Sequence, residues 1–198
     1  PDAAATLPSV DALKAKIEEL KNSAEPAEEI RNAAIEQYSK AVERLAAAAD
    51  ARKKIAKLSE LKTAGDATVK SLADALKNAP PAEDPVLPEG STYDSVKVLT
   101  DEAQLKLKEL DQAVDAKRRE RSAATEARAK LPDSLLAAKN RAAAARTEID
   151  AGATPDEDPL SADARLLRAR AEESLAHLEA ESLQAEIDTS DLRDKISQ

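Results

Sequence analysis

One histidine is the residue of this chain best suited to proton chemistry at neutral pH. His177 lies four residues after Glu173 and four residues before Glu181. On a helix this spacing places both carboxylates beside the imidazole, where they could hold its protonated form and make a weak pH-responsive pair. A solvated position on a helix surface accounts for the same spacing, and we expect that simpler arrangement.

Acidic residues around His177 suggest a carboxylate metal site. Di-metal helical bundles use Glu-x-x-His pairs on facing helices, but Ser174 stands where such a pair with His177 would need its Glu. The chain also has no Cys, which excludes a thiolate site. We therefore predict no metal site, no cofactor-binding residue and no cofactor. The carboxylates in question are those of Glu172, Glu173, Glu179, Glu181 and Glu186.

The sequence contains none of the common catalytic motifs. We find no Gly-rich phosphate loop, no nucleophile elbow and no arrangement of His with Cys. We therefore predict that the chain is not an enzyme and has no catalytic residue.

Two short segments, 117–121 and 165–170, are locally basic. Nucleic-acid readers present an unopposed basic face or interleave aromatic residues for stacking, whereas here acids lie within a turn and Tyr38 and Tyr93 are the only aromatics. The whole chain is acidic, with 39 Asp and Glu against 30 Lys and Arg. We predict solvated faces with ion pairs, and no nucleic-acid partner.

The composition favours helices throughout. The chain of 198 residues contains 44 Ala but no Phe, Trp or Met and only three Gly. Ala, Leu, Glu, Lys and Arg are strong helix formers, and the aromatic and β-branched residues that fill sheets are sparse. We predict an all-α fold, an elongated antiparallel helical bundle of coiled-coil hairpins with a thin core.

Prolines and caps predict the organisation of the chain. We expect a disordered leader over 1–8, an N-terminal helical hairpin subdomain over 9–78, a Pro-rich linker over 79–98 and a C-terminal coiled-coil subdomain over 99–198. Ser9 is a good N-cap for the first helix, and Tyr38 falls on the apolar stripe of the second. Gly65 is expected to end that second helix as a left-handed C-cap.

The C-terminal part carries the clearest helical pattern. Thr100 is expected to cap a helix that Pro132 ends, and Ser161 to cap the last helix, with a bend or restart at Thr189. The pattern continues to Ile196, so we expect the natural protein to extend beyond Gln198. The seam of the first of these helices alternates at three and four residues: Ala103, Leu107, Leu110, Val114, Lys117, Arg121, Ala124, Arg128 and Leu131.

The order of these elements resembles the periplasmic N-terminal helical domain of large MscS-type mechanosensitive channels, also called the MscS porin domain. The segments Leu7–Leu13 and Tyr38–Leu45 are similar to that family's opening hairpin. Leu107–Leu131, followed by Pro132 and an Ala-rich return, is similar to its coiled-coil hairpin. The nearest likeness lies in the last helix, over Ala164–Arg170, Leu178–Leu183 and Asp191–Asp194.

The resemblance implies a structural role rather than conduction of ions. It implies a periplasmic module that supports or modulates gating, tethered to the inner membrane by segments outside this chain. Its partners would be the channel's own subunits in a homo-oligomer, together with other envelope components. No site residue is carried over, because the likeness is a pattern without a motif.

Two other functions were weighed against the sequence, and one of them fits it. The chain could be a stand-alone helical scaffold or adaptor that binds partner proteins along coiled-coil surfaces. An amphipathic lipid-surface protein is disfavoured by the acidity and by the small residues on the apolar faces.

Overall fold

The computed structural model describes residues 7–79 and 90–196 of the chain. Four α-helices make up most of these residues: α1 (Val10–Asn22), α2 (Glu28–Lys77), α3 (Tyr93–Ala151) and α4 (Pro159–Ile196). The described residues contain no strand, and α2 packs against α3 and α4. The predicted all-α class and hairpin arrangement are confirmed.

Contacts between residues divide the chain into two units. Unit 1 joins 1–63 to 131–189, and unit 2 joins 64–130 to 190–198. Each unit therefore takes a stretch of α2, of α3 and of α4, whereas the sequence suggested subdomains that follow one another along the chain, 9–78 and 99–198. The difference arises because antiparallel helices bring distant segments side by side.

Parts of two predicted segments fall outside the described residues. These are the first six residues of the leader (1–8) and residues 80–89 of the linker (79–98), which include its four prolines. The end of the predicted linker is helical, because α3 begins at Tyr93.

α1 is built as its sequence predicts. The Ser9 hydroxyl accepts a hydrogen bond of 3.1 Å from the backbone N–H of Ala12, which satisfies one of the free donors of the first turn. Its buried residues are Leu13, Ile17 and Leu20, spaced by four and three along one face. The helix ends at Asn22, and the predicted N-cap is confirmed.

The core of unit 1 is formed mainly by small residues. Ala34, Ala41, Ala164 and Ala171 are completely buried, and Tyr38 is the largest buried side chain. Leu13, Ile17 and Leu20 of α1 join the same cluster. Alanines leave room for helix backbones to approach closely, so a core poor in large side chains can still exclude water.

Two predicted helix ends are wrong. α2 continues through Gly65, which is buried because the side chain of Leu192 in α4 occupies the place of its missing Cβ. α3 continues through Pro132, so the missing N–H of that proline interrupts one hydrogen bond without ending the helix. The return face of α3 is held by burial of Ala138, Ala142 and Ala145, as the alanine run indicated.

Two predicted caps, Thr100 and Ser161, and a predicted restart at Thr189 are also wrong. Thr100 lies inside α3, where its hydroxyl donates to the Val96 carbonyl oxygen. α4 begins at Pro159, and the carboxylate of Asp158, rather than the Ser161 hydroxyl, accepts from the first free N–H groups. α4 runs through Thr189 without a restart. The buried Thr189 hydroxyl donates a hydrogen bond of 2.7 Å to the Ala185 carbonyl oxygen within the helix.

Candidate functional site

A polar cluster joins three helices inside unit 1. The Tyr38 hydroxyl donates a hydrogen bond of 2.6 Å to Oδ2 of Asp163, and Lys16 Nζ lies 2.8 Å from the same oxygen. Lys16 also stands over the Tyr38 ring, 4.6 Å from its centroid. These contacts connect α1, α2 and α4. Each polar group of the cluster is engaged with another, so the cluster can be explained as a structural contact between helices.

Burial shapes the proton affinities of this cluster. It raises the pKa of the Tyr38 hydroxyl to about 12, with the hydrogen bond to Asp163 acting in the same direction. Burial also raises the pKa of the Asp163 carboxyl, but the hydrogen bonds from Lys16 and Tyr38 outweigh it and hold that pKa below its usual value. Both groups therefore keep one protonation state across neutral pH, as expected of a structural contact rather than a catalytic pair.

Ion pairs connect α3 to α4, and another joins α4 to the loop that precedes it. Arg168 pairs with Glu148, and Arg141 reaches both Glu172 and Glu179. Arg165 binds Glu157 at 2.7 Å, and that hydrogen bond is the main reason why the pKa of the Glu157 carboxyl falls to about 2. Arg165 and Arg168 of the basic segment 165–170 are therefore ion-paired, as predicted, but they are partly buried rather than solvated.

A shallow cleft of about 560 Å³ lies between α2, α3 and α4 in unit 1. Its small residues include Ala47, Ala51 and Ala137, and the buried Ser182 hydroxyl has no hydrogen-bond partner among the described residues. Two of its charged side chains are paired: Lys54 with Glu186, and Arg141 with Glu179. The cleft therefore shows no converging set of polar groups that would select a ligand.

His177 lies on the surface of α4 with 69% of its side chain exposed, and its Nε2 is 4.0 Å from Oε1 of Glu173. This is the solvated position that we expected. Within 7–79 and 90–196, no three or more His, Asp or Glu side chains are grouped so that they could hold a metal ion.

The feature that stands apart is an exposed apolar surface on α3 within unit 2. We call it the α3 face and define it as Leu99, Ala103, Leu107, Leu110 and Val114. Their spacing of four, four, three and four residues places them on one side of the helix. Leu107 is 60% exposed and Leu110 is 64% exposed.

The sequence predicted four residues of the α3 face, Ala103, Leu107, Leu110 and Val114, as part of a helix seam, but it predicted neither their exposure nor the inclusion of Leu99. Periodicity indicates which residues share a side of a helix, and we expected a partner helix to cover this one. Of the predicted basic seam positions, Arg128 does contact α4, where it pairs with Asp191 at 2.6 Å and Asp194 at 3.0 Å. Lys117 and Arg121 are exposed.

Comparisons with known proteins do not assign the chain to a family. No family model matches the chain, and no curated protein or solved structure matches it. Within the described ranges no helix is long and apolar enough to cross a membrane.

Proposed function

We propose that the chain is a non-catalytic helical module that acts by contacting other helices through the α3 face. A row of leucines open to water is costly unless a partner covers it, since each fully buried leucine contributes about 1.5–3 kcal/mol. Two contacts in unit 1 support this role, because Tyr38 with Asp163 and Arg141 with Glu172 each join two helices.

The finer form of the proposal is a periplasmic extension of an MscS-type mechanosensitive channel. It is supported by the sequence resemblance and by the all-α hairpin architecture. In this role the module modulates or supports gating, its partners are subunits of the same channel, and the membrane-spanning segments belong to the rest of the gene product.

The runner-up is a stand-alone helical scaffold that binds partner proteins. The α3 face favours it equally, because a coiled-coil surface serves either protein. The two proposals differ in what surrounds this segment in the complete gene. Hydrophobic spans of about 20 residues downstream support the channel, and a gene product without them supports the scaffold.

The channel proposal is tested by patch-clamp recording of the complete gene product. We expect tension-gated current, and we expect Leu107→Gln combined with Leu110→Gln to shift the gating tension while leaving the conductance unchanged. Leu136→Gln is the matched control, because Leu136 is a 59% exposed leucine on the other part of α3. Absence of tension-gated current would rule out the channel, and an unchanged gating tension would contradict a role in gating.

A further inference from the structure

The α3 face repeats with the spacing of a coiled coil. Ala103, Leu107, Leu110 and Val114 occupy alternate a and d positions of a heptad, and Lys117 and Arg121 continue the same series. Large apolar residues occupy the first part of the seam, and long cationic side chains occupy the second. The stems of such cations can cover apolar surface while their charged ends stay in water.

Charge divides α3 at the same point. Residues 93–115 carry six acidic and three basic side chains, whereas residues 117–130 carry six basic and two acidic side chains. One helix therefore presents two segments of opposite net charge, each with half of one seam. A partner helix with complementary charge must place basic residues beside 93–115 and acidic residues beside 117–130. A second α3 that runs antiparallel to the first does this.

A parallel pair of α3 helices in register fails this test. It would place Lys117 against Lys117 and Arg121 against Arg121 at seam positions, where like charges face each other after losing water. An antiparallel pair brings each cation to the apolar half of the other helix instead, which removes this repulsion.

We propose that α3 forms an antiparallel coiled coil with α3 of a second copy of this chain. In an antiparallel coiled coil an a residue packs opposite a d residue of the other helix. We favour the register in which Leu110 packs opposite Val114 of the second copy, because the two such layers then lie next to each other at the centre of the pair. In that register Leu107 lies against the stem of Lys117, and Lys106 faces Glu120. The two contacts between Lys106 and Glu120 flank the seam symmetrically, since the pair has a twofold axis.

The pairing rests on the proposed function, since it names the partner of the α3 face, but it does not depend on the channel form of that proposal. The central contact is apolar and the flanks are charged, so we expect the dimer to weaken as salt rises but to persist in part.

Disulfide cross-linking tests the orientation, because the chain has no Cys of its own. Thr100→Cys and Ala124→Cys are exposed positions that face each other in the proposed register. A mixture of the two variants is expected to form mixed disulfides, whereas Thr100→Cys alone is not, since its two sulfurs would be about 36 Å apart along the pair at 1.5 Å per residue. Efficient cross-linking of Thr100→Cys to itself would overturn the antiparallel arrangement.

Sedimentation equilibrium of the full chain tests the contact. We expect a dimer whose dissociation constant rises roughly tenfold or more in Leu110→Gln, because two buried leucines are lost per pair. Leu136→Gln is the control and should leave the dimer unchanged. Lys106→Glu should weaken the dimer about threefold to tenfold, and adding Glu120→Lys should restore it. A monomer at about 1 mM, the weak end of specific association, would overturn the proposal, and so would a dimer unaffected by Leu110→Gln.

Discussion

The hydroxyl of Tyr38 on α2 donates a hydrogen bond of 2.6 Å to Oδ2 of Asp163 on α4, although the two residues lie far apart in the chain. Tyr38 is completely buried, and its ring packs with the alanines of the unit 1 core. This contact fixes α2 and α4 to each other at one level of unit 1, and Lys16 brings α1 to the same point.

Removal of the Tyr38 hydroxyl should therefore destabilise the protein. We expect Tyr38→Phe to lower the free energy of unfolding by about 1–2 kcal/mol, because a hydrogen bond to a carboxylate is lost while the ring remains. Urea denaturation followed by circular dichroism measures the loss. Tyr93→Phe is the matched control, since Tyr93 is 82% exposed and its replacement should have almost no effect. Equal stability of the two variants would contradict the structural role of the hydroxyl.

The same residue predicts a loss of stability in alkali. Burial raises the pKa of the folded-state Tyr38 hydroxyl to about 12, above the ordinary value of 10.0 that applies when the chain is unfolded. The folded state then binds the proton more tightly, so this contribution is complete below pH 10 and is lost as the pH rises towards 12. Stability measured in Tyr93→Phe, in which Tyr38 is the only tyrosine, should fall over this range more steeply than in the variant lacking both tyrosines. Parallel curves would contradict the shift.

Gly65 predicts an unusual response to alanine. In most helix interiors this substitution stabilises by about 0.5–1 kcal/mol, but here the new Cβ would overlap the Leu192 side chain and lie 2.8 Å from its Cγ. We expect Gly65→Ala to lower the free energy of unfolding by about 1–3 kcal/mol. Adding Leu192→Ala should recover part of the loss, and a double-mutant cycle in urea measures the coupling. A stabilising effect of Gly65→Ala alone would show that the two helices do not approach this closely.

Replacing Pro132 by alanine should stabilise the protein, unlike the same replacement at Gly65. It is exposed and lies inside α3, so it removes a helix hydrogen bond without contributing to the core. Pro132→Ala should raise the free energy of unfolding by about 1–3 kcal/mol in urea denaturation. The adjacent exposed position serves as a control, because Asp133→Ala should change stability by no more than about 0.5 kcal/mol. A loss of stability in Pro132→Ala would mean that the proline is required by the fold.

The sequence was informative where local chemistry decides the structure. Ser9 capped α1 as predicted because a cap depends on residues within one turn, and Tyr38 was placed on a buried stripe by helical spacing alone. The helix class followed from alanine and leucine content in the same way.

The two wrong helix ends, at Gly65 and Pro132, share a physical cause, which is packing that local sequence does not show. Glycine is the usual residue at a helix C-cap, so the sequence predicted that α2 ends at Gly65. The structure shows instead that Gly65 lets the side chain of Leu192 in α4 approach α2 closely. Proline commonly marks the end of a helix, so the sequence predicted that α3 ends at Pro132. The helix continues because the alanines that follow Pro132 are buried and stabilise it. The α3 face was identified by its spacing, but its exposure depends on which helices lie beside it, and spacing does not contain that information.

Hydrogen exchange of the chain at low and high protein concentration tests the central claim most directly. If the α3 face is an interaction surface, amides in 93–130 should exchange more slowly as the concentration rises, while those in 131–151 of the same helix should not change. Exchange of the amides in 93–130 at the same rate at low and high protein concentration would contradict the claim that the α3 face is an interaction surface.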